Sequence, residues 1–154
     1  MIIIMKLARE VREQFRLHGR AGGRARAARM SADARRAVAR RAGLARWVRK
    51  RFGASRFEDL GLPGGAIVDA GLADLAAGRV TAESLAVSIA MPRLRREGLP
   101  QSPALPDPEE RLYRLLSLQA GDLAHARYGA LLKQMSSFAD ACHGRRLDRV
   151  RRAT

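Results

Sequence analysis

The sequence predicts an all-α protein: a basic N-terminal helical arm, then a small helical body ending in an antiparallel helix hairpin. Three observations lead there. Alanine, leucine and arginine, all strong helix formers, dominate the chain. Runs of β-branched residues are nearly absent apart from Ile2-Ile3-Ile4. Apolar residues return at intervals of three and four along much of the length, which is the spacing of one helix face.

The elements follow in order. Ile4, Leu7, Ala8, Val11 and Phe15 mark a first amphipathic helix over 4–17, ended by His18-Gly19. Gly19, Gly22 and Gly23, set among arginines, predict a flexible basic connector that orders on an anionic partner. Ser31 is suited to cap a second helix with Asp33 in its first turn, and Gly53 is suited to close it. At about 100° per residue, Ala34, Ala37, Val38, Leu44, Ala45, Val48 and Phe52 share one stripe of that helix. Arg35, Arg36, Arg40, Arg46, Arg49, Lys50 and Arg51 occupy the opposite arc, with Trp47 among them. Arg41 falls inside the apolar stripe, which implies a narrow stripe or an acidic partner.

Phe57 to Pro63 reads as a connector with room for one helical turn. A third helix over 64–77 carries Ile67, Val68, Leu72 and Leu75 and stops at Gly78. Thr81 caps a fourth, whose buried side is Leu85, Ala86, Ile89 and Ala90 and which Pro92 should end or kink. Arg93, Arg95 and Arg96 form a minor second basic cluster. Pro100, Pro103 and Pro106 mark 99–106 as an extended linker. Asp107-Pro108-Glu109-Glu110 combines an N-cap acid, proline at N1 and a glutamate able to reach back, so a fifth helix begins there. Gly121-Asp122 is a tight break. Ala124, Tyr128, Leu131, Leu132, Met135, Phe138, Ala139 and Cys142 then recur on one face, giving the second arm of the hairpin. The resulting divisions are a basic helical arm at 1–56, a small helical segment at 57–98, the linker at 99–106, the hairpin at 107–143 and a basic tail at 144–154.

Charge separates these parts. The chain of 154 residues carries a formal charge of +15. Residues 20–51 hold twelve basic side chains against Asp33 alone, while residues 61–142 hold eight basic and nine acidic groups. The positive charge is a local device, and a field so dense attracts polyanions. Eleven of the twelve basic residues are arginine, whose planar fork suits phosphate oxygens bidentately. A solvated face kept for solubility normally mixes its signs, and this one barely does. The expected nucleic-acid contacts are Arg20, Arg24, Arg26, Arg29, Arg35, Arg36, Arg40, Arg46, Trp47, Arg49, Lys50 and Arg51. Trp47 could stack on a base, or pack on a neighbouring helix. Tyr128, Leu131, Leu132, Met135 and Phe138 are candidates for holding a protein partner.

No reaction is announced, and a non-enzymatic protein without cofactor is expected. Cys142 is the only cysteine, excluding an intrachain disulfide, and it lies on an apolar stripe as a small core residue does. His18, His125, His143 and Cys142 lack the spacings of a zinc site. Gly61 to Gly65 has neither the strand nor the lysine of a phosphate-binding loop. The apolar start is too short for a signal peptide, and no stretch approaches the roughly 18 apolar residues of a membrane span. A cytoplasmic protein is expected.

The run Gly22-Gly23-Arg24-Ala25-Arg26-Ala27-Ala28-Arg29-Met30-Ser31, with Arg35-Arg36, Ala39-Arg40-Arg41-Ala42 and Ala45-Arg46-Trp47, resembles an element of small basic bacterial proteins. These include stress-induced KGG-repeat proteins and antitoxin-like proteins encoded beside toxins. Arg93-Leu94-Arg95-Arg96-Glu97-Gly98 and Ala124-His125-Ala126-Arg127-Tyr128 are similar to stretches in partner proteins of nucleotidyltransferase-type toxins. The resemblance implies an antitoxin whose basic arm binds operator DNA, repressing its own transcription, and whose helical body holds the toxin. The tail departs from the usual antitoxin, being basic rather than acidic. Other expectations left open by the residues are an RNA-binding assembly protein, an adaptor whose arginines meet an acidic protein, and self-association.

Overall fold

The computed structural model describes residues 9–99 and 103–153, and these residues form six α-helices without a strand. The helices are α1 (Arg9–Ala28), α2 (Ala32–Phe52), α3 (Gly65–Ala77), α4 (Ala82–Arg96), α5 (Pro108–Ala120) and α6 (Ala124–Ala153). The protein is all-α. Two compact units are distinguished, one ending at Arg36 and the other beginning at Ala37. Most of α2, from Ala37 onward, falls in the second unit, whereas the sequence reading ends the arm at residue 56.

In the first unit, α1 runs on through Gly19, Gly22 and Gly23 to Ala28, so the expected flexible connector is helical. Each glycine costs a helix about 1 kcal/mol relative to alanine, but the arginines and alanines between them are among the best helix formers. Ile4, Leu7 and Ala8 of the expected first stripe lie outside the described residues. Within α1 no residue is buried; Val11 and Phe15 are exposed. Ser31 caps α2 as expected, its Oγ accepting the Ala34 N–H at 3.1 Å.

The second unit is built around α4, which packs against α3, α5 and α6. Its sequence explains this centrality, since Leu85, Ala86, Val87, Met91 and Leu94 bury apolar side chains on more than one side. Thr81 caps α4 through a reciprocal pair: Ser84 N–H donates to Thr81 Oγ1 at 3.1 Å, and Thr81 N–H donates to Ser84 Oγ at 2.8 Å. The Thr81 hydroxyl also donates to Asp74 Oδ2 at 2.7 Å, tying the end of α3 to the start of α4. At the crossing of these helices Gly71 is obligatory. A Cβ there would lie 2.5 Å from the Glu83 carbonyl oxygen and 2.6 Å from Val87 Cγ2.

Phe57, fully buried in the connector after α2, is the hub of the core. It meets Trp47 of α2 edge-on at 6.5 Å between centroids and Phe138 of α6 at 5.0 Å. Such pairs add about 0.5–1.5 kcal/mol each beyond the area they bury. After Phe57 comes one turn of 3-10 helix, Glu58–Leu60, in the place where a single turn was expected.

Four details differ from the sequence reading. Pro92 does not end α4, which continues to Arg96 because Met91 and Leu94 on either side of it are held in the core. The capping box at α5 does not form: Asp107 adopts a left-handed conformation (φ 44°) and caps nothing through its side chain. Glu110 pairs instead with Arg114 at 2.6 Å, one turn along. The segment after α4 is not a free spacer, since Leu99 is buried and the Leu105 N–H donates to the buried Ser88 Oγ at 3.2 Å; residues 100–102 lie outside the described residues. Segments 57–98 and 107–143 consequently share one core. Finally, α6 does not stop near Cys142 but continues to Ala153, as Gly144 alone is too weak a break among helix formers. Across the short Gly121–Leu123 turn, α5 and α6 pack together, with Tyr113 and Tyr128 edge-on at 5.8 Å.

Candidate nucleic-acid interface

The basic side chains are positioned by the same periodicity that builds the helices. Arg20, Arg24 and Arg26 on α1 and Arg29 in the turn after it are exposed, and so are Arg35 and Arg36 in the first turns of α2. In the second unit Arg40, Arg46, Arg49 and Lys50 are exposed along α2. Val48 of the opposite stripe is buried, and Leu44 packs against the core. Burial of Val48 and Leu44 fixes the rotation of this part of the helix and leaves the arc on the outside, while Val38 of the same stripe is exposed. The Arg51 side chain lies outside the described residues.

Few of these cations are neutralised. Arg36 pairs with Asp33 at 2.5 Å. Arg49 donates to Ser55 Oγ at 2.6 Å, and Arg46 Nε donates to the Ala42 carbonyl at 3.3 Å. Among the described residues, Arg20, Arg24, Arg26, Arg29, Arg35 and Arg46 have no acidic partner. The arrangement presents forked donors to an anion without first breaking ion pairs. An acid-poor helix face can bind a polyanion.

Several expected site residues lie elsewhere. Trp47 is half-buried and packs against Phe57 and the core, the second of its two readings. Its position on the basic arc gave no hint of the buried phenylalanine ten residues on. Met135 and Phe138 are buried, and Tyr128 and Leu131 pack against the same core, with Leu132 half-buried. Met135, Phe138, Tyr128 and Leu131 thus serve the chain's own core. An apolar stripe has the same spacing whether it faces a core or a partner. Arg93 of the second basic cluster is held to α6 by Ser136 Oγ at 2.7 Å and Asp140 at 2.5 Å.

Cys142 is buried; that burial, with the charge of Glu97, pushes its thiol up to about 12, although Arg145 pulls the other way. A thiol so held stays protonated and is a poor nucleophile. Among the described residues no helix is long and apolar enough to cross a membrane.

One feature that the sequence did not isolate is a groove of about 900 Å³ between α2 and α3. Arg40, Arg41 and Leu44 line it from α2. The signal was present in the odd position of Arg41 within an apolar stripe. What that stripe faces could not be read. Comparison of the chain with family models, with curated proteins and with solved structures finds no match.

Proposed function

We propose that this chain is a non-enzymatic nucleic-acid-binding protein that takes DNA in preference to RNA. The observation that carries this is the set of exposed guanidinium groups on α1 and α2 without acidic partners. Phosphate binding of this kind supplies affinity and position, not sequence choice. The exposed state of α1 is in keeping, because a helix that buries none of its residues gains stability from a ligand that neutralises it. The sequence resemblance supports a setting for this activity: an antitoxin-type autorepressor that also holds a toxin-like protein partner.

Replacing Arg24, Arg29, Arg35 and Arg46 together with glutamine tests the proposal. Affinity for duplex DNA is expected to fall with helix content unchanged. The slope of log K against log salt should shrink by about one for each phosphate no longer engaged. Unchanged affinity would end the proposal. Competition between duplex DNA and structured RNA for the intact protein decides between the two polymers.

A further inference from the structure

The groove between α2 and α3 has a floor and a rim of different chemistry. Its floor is Leu44 and Leu72 with the small side chains Ala66, Ala70 and Ala73, which follow one another along a face of α3. Such a surface accepts another helix at close range, because alanine keeps the backbones near. Its rim holds arginines in two states. On the α3 side, Arg56 is paired with Glu58 at 2.8 Å and Asp59 at 3.3 Å, and Arg79 is paired with Asp74. On the α2 side, Arg40 and Arg41 are exposed and, among the described residues, make no ion pair or side-chain hydrogen bond. One rim is neutralised and the other carries two open positive charges beside an apolar floor.

We propose that this groove docks an amphipathic helix of a partner protein, one that carries glutamate or aspartate along the edge of its apolar stripe. The apolar stripe lies on the alanines and leucines, and the acids meet Arg40 and Arg41. A nucleic acid fits this site poorly. Its backbone has nothing to bury on an alanine floor, no aromatic side chain to stack a base is among the described lining residues, and Asp69 in the wall repels phosphate. Arg41, which the helical projection sets in the apolar stripe, is exposed at the groove, where an acidic occupant would meet it. The proposal deepens the protein-partner side of the function above and does not require nucleic-acid binding.

The test uses the intact, isotope-labelled protein and a synthetic helical peptide of about five turns, with leucine at three-and-four spacing and glutamate flanking it. Amide shifts are expected on residues of α2 and α3 that line the groove, and the same peptide with lysine flanks should leave them unmoved. Arg41→Glu reverses a rim charge, and Ala70→Trp fills the floor. Both positions are exposed, and circular dichroism checks that each variant folds. Each substitution should weaken peptide binding about tenfold or more, as removing a matched charge or spoiling the fit does. Duplex DNA affinity should stay at the wild-type value in the Ala70→Trp variant. The proposal fails if the acidic peptide moves no groove amide, if the lysine peptide binds as well, or if both variants bind as the parent does. It also fails if duplex DNA shifts the groove amides and Ala70→Trp abolishes that effect, since the groove then serves nucleic acid. Peptide binding without any DNA binding would overturn the function proposed above and leave the groove assignment standing.

Discussion

Asp74 illustrates how a single side chain joins two helices and what that implies for pH. Partial burial pushes its carboxyl up, but the hydrogen bonds from Thr81 and Arg79 and the Arg79 charge outweigh it and hold the group below its ordinary range. A depressed carboxyl contributes stability that is present above the unfolded value, near 3.9, and is lost as pH falls through the folded value. Asp74→Asn is therefore expected to destabilise the protein by about 1–3 kcal/mol at neutral pH. The difference from wild type should shrink as denaturation is followed below pH about 4. A constant difference would show that the carboxylate charge is irrelevant. Sequence reading identified Thr81 as a cap yet not Asp74 as its partner, because the bond spans seven residues and two helices.

At the scale of elements, glycines act in opposite senses. Gly71 is required by the close crossing of α3 and α4, so Gly71→Ala should cost about 1–3 kcal/mol through overpacking, measured as a lowered midpoint in urea. Gly22 and Gly23 on α1 face open space, and nothing in the fold asks for them. Alanine at both should add helix content and raise helix stability by about 1 kcal/mol per site. If α1 binds DNA as a helix, the pair should also tighten DNA affinity; weaker binding would mean that the glycines bend or yield in the complex. Helix identities and most starts were legible, as at Ser31, Thr81 and Pro108, since capping and periodicity are local. The continuation of α4 past Pro92 and of α6 past residue 143 was not. A weak local break is overridden when flanking residues are held in a core or are themselves strong helix formers.

For the molecule as a whole, charge is the property that scales with its parts. If six to ten phosphates are engaged, affinity for duplex DNA should drop by roughly 10³ to 10⁵ between 50 and 200 mM salt, followed by fluorescence anisotropy. An affinity flat across that range would remove the electrostatic basis of the proposed function. The linear sequence by itself determined the all-α class, the concentration of positive charge in residues 20–51 and the outward face of α2, since each depends on residue type and on neighbours three or four positions away. Only the tertiary structure decided that Trp47 and Phe138 gather around Phe57, that Leu105 of the proline-rich segment docks on Ser88, and that Arg40 and Arg41 overlook an alanine-lined groove. Those outcomes are set by which helix faces meet, and faces far apart in the chain find each other through shape and burial, which no local spacing encodes.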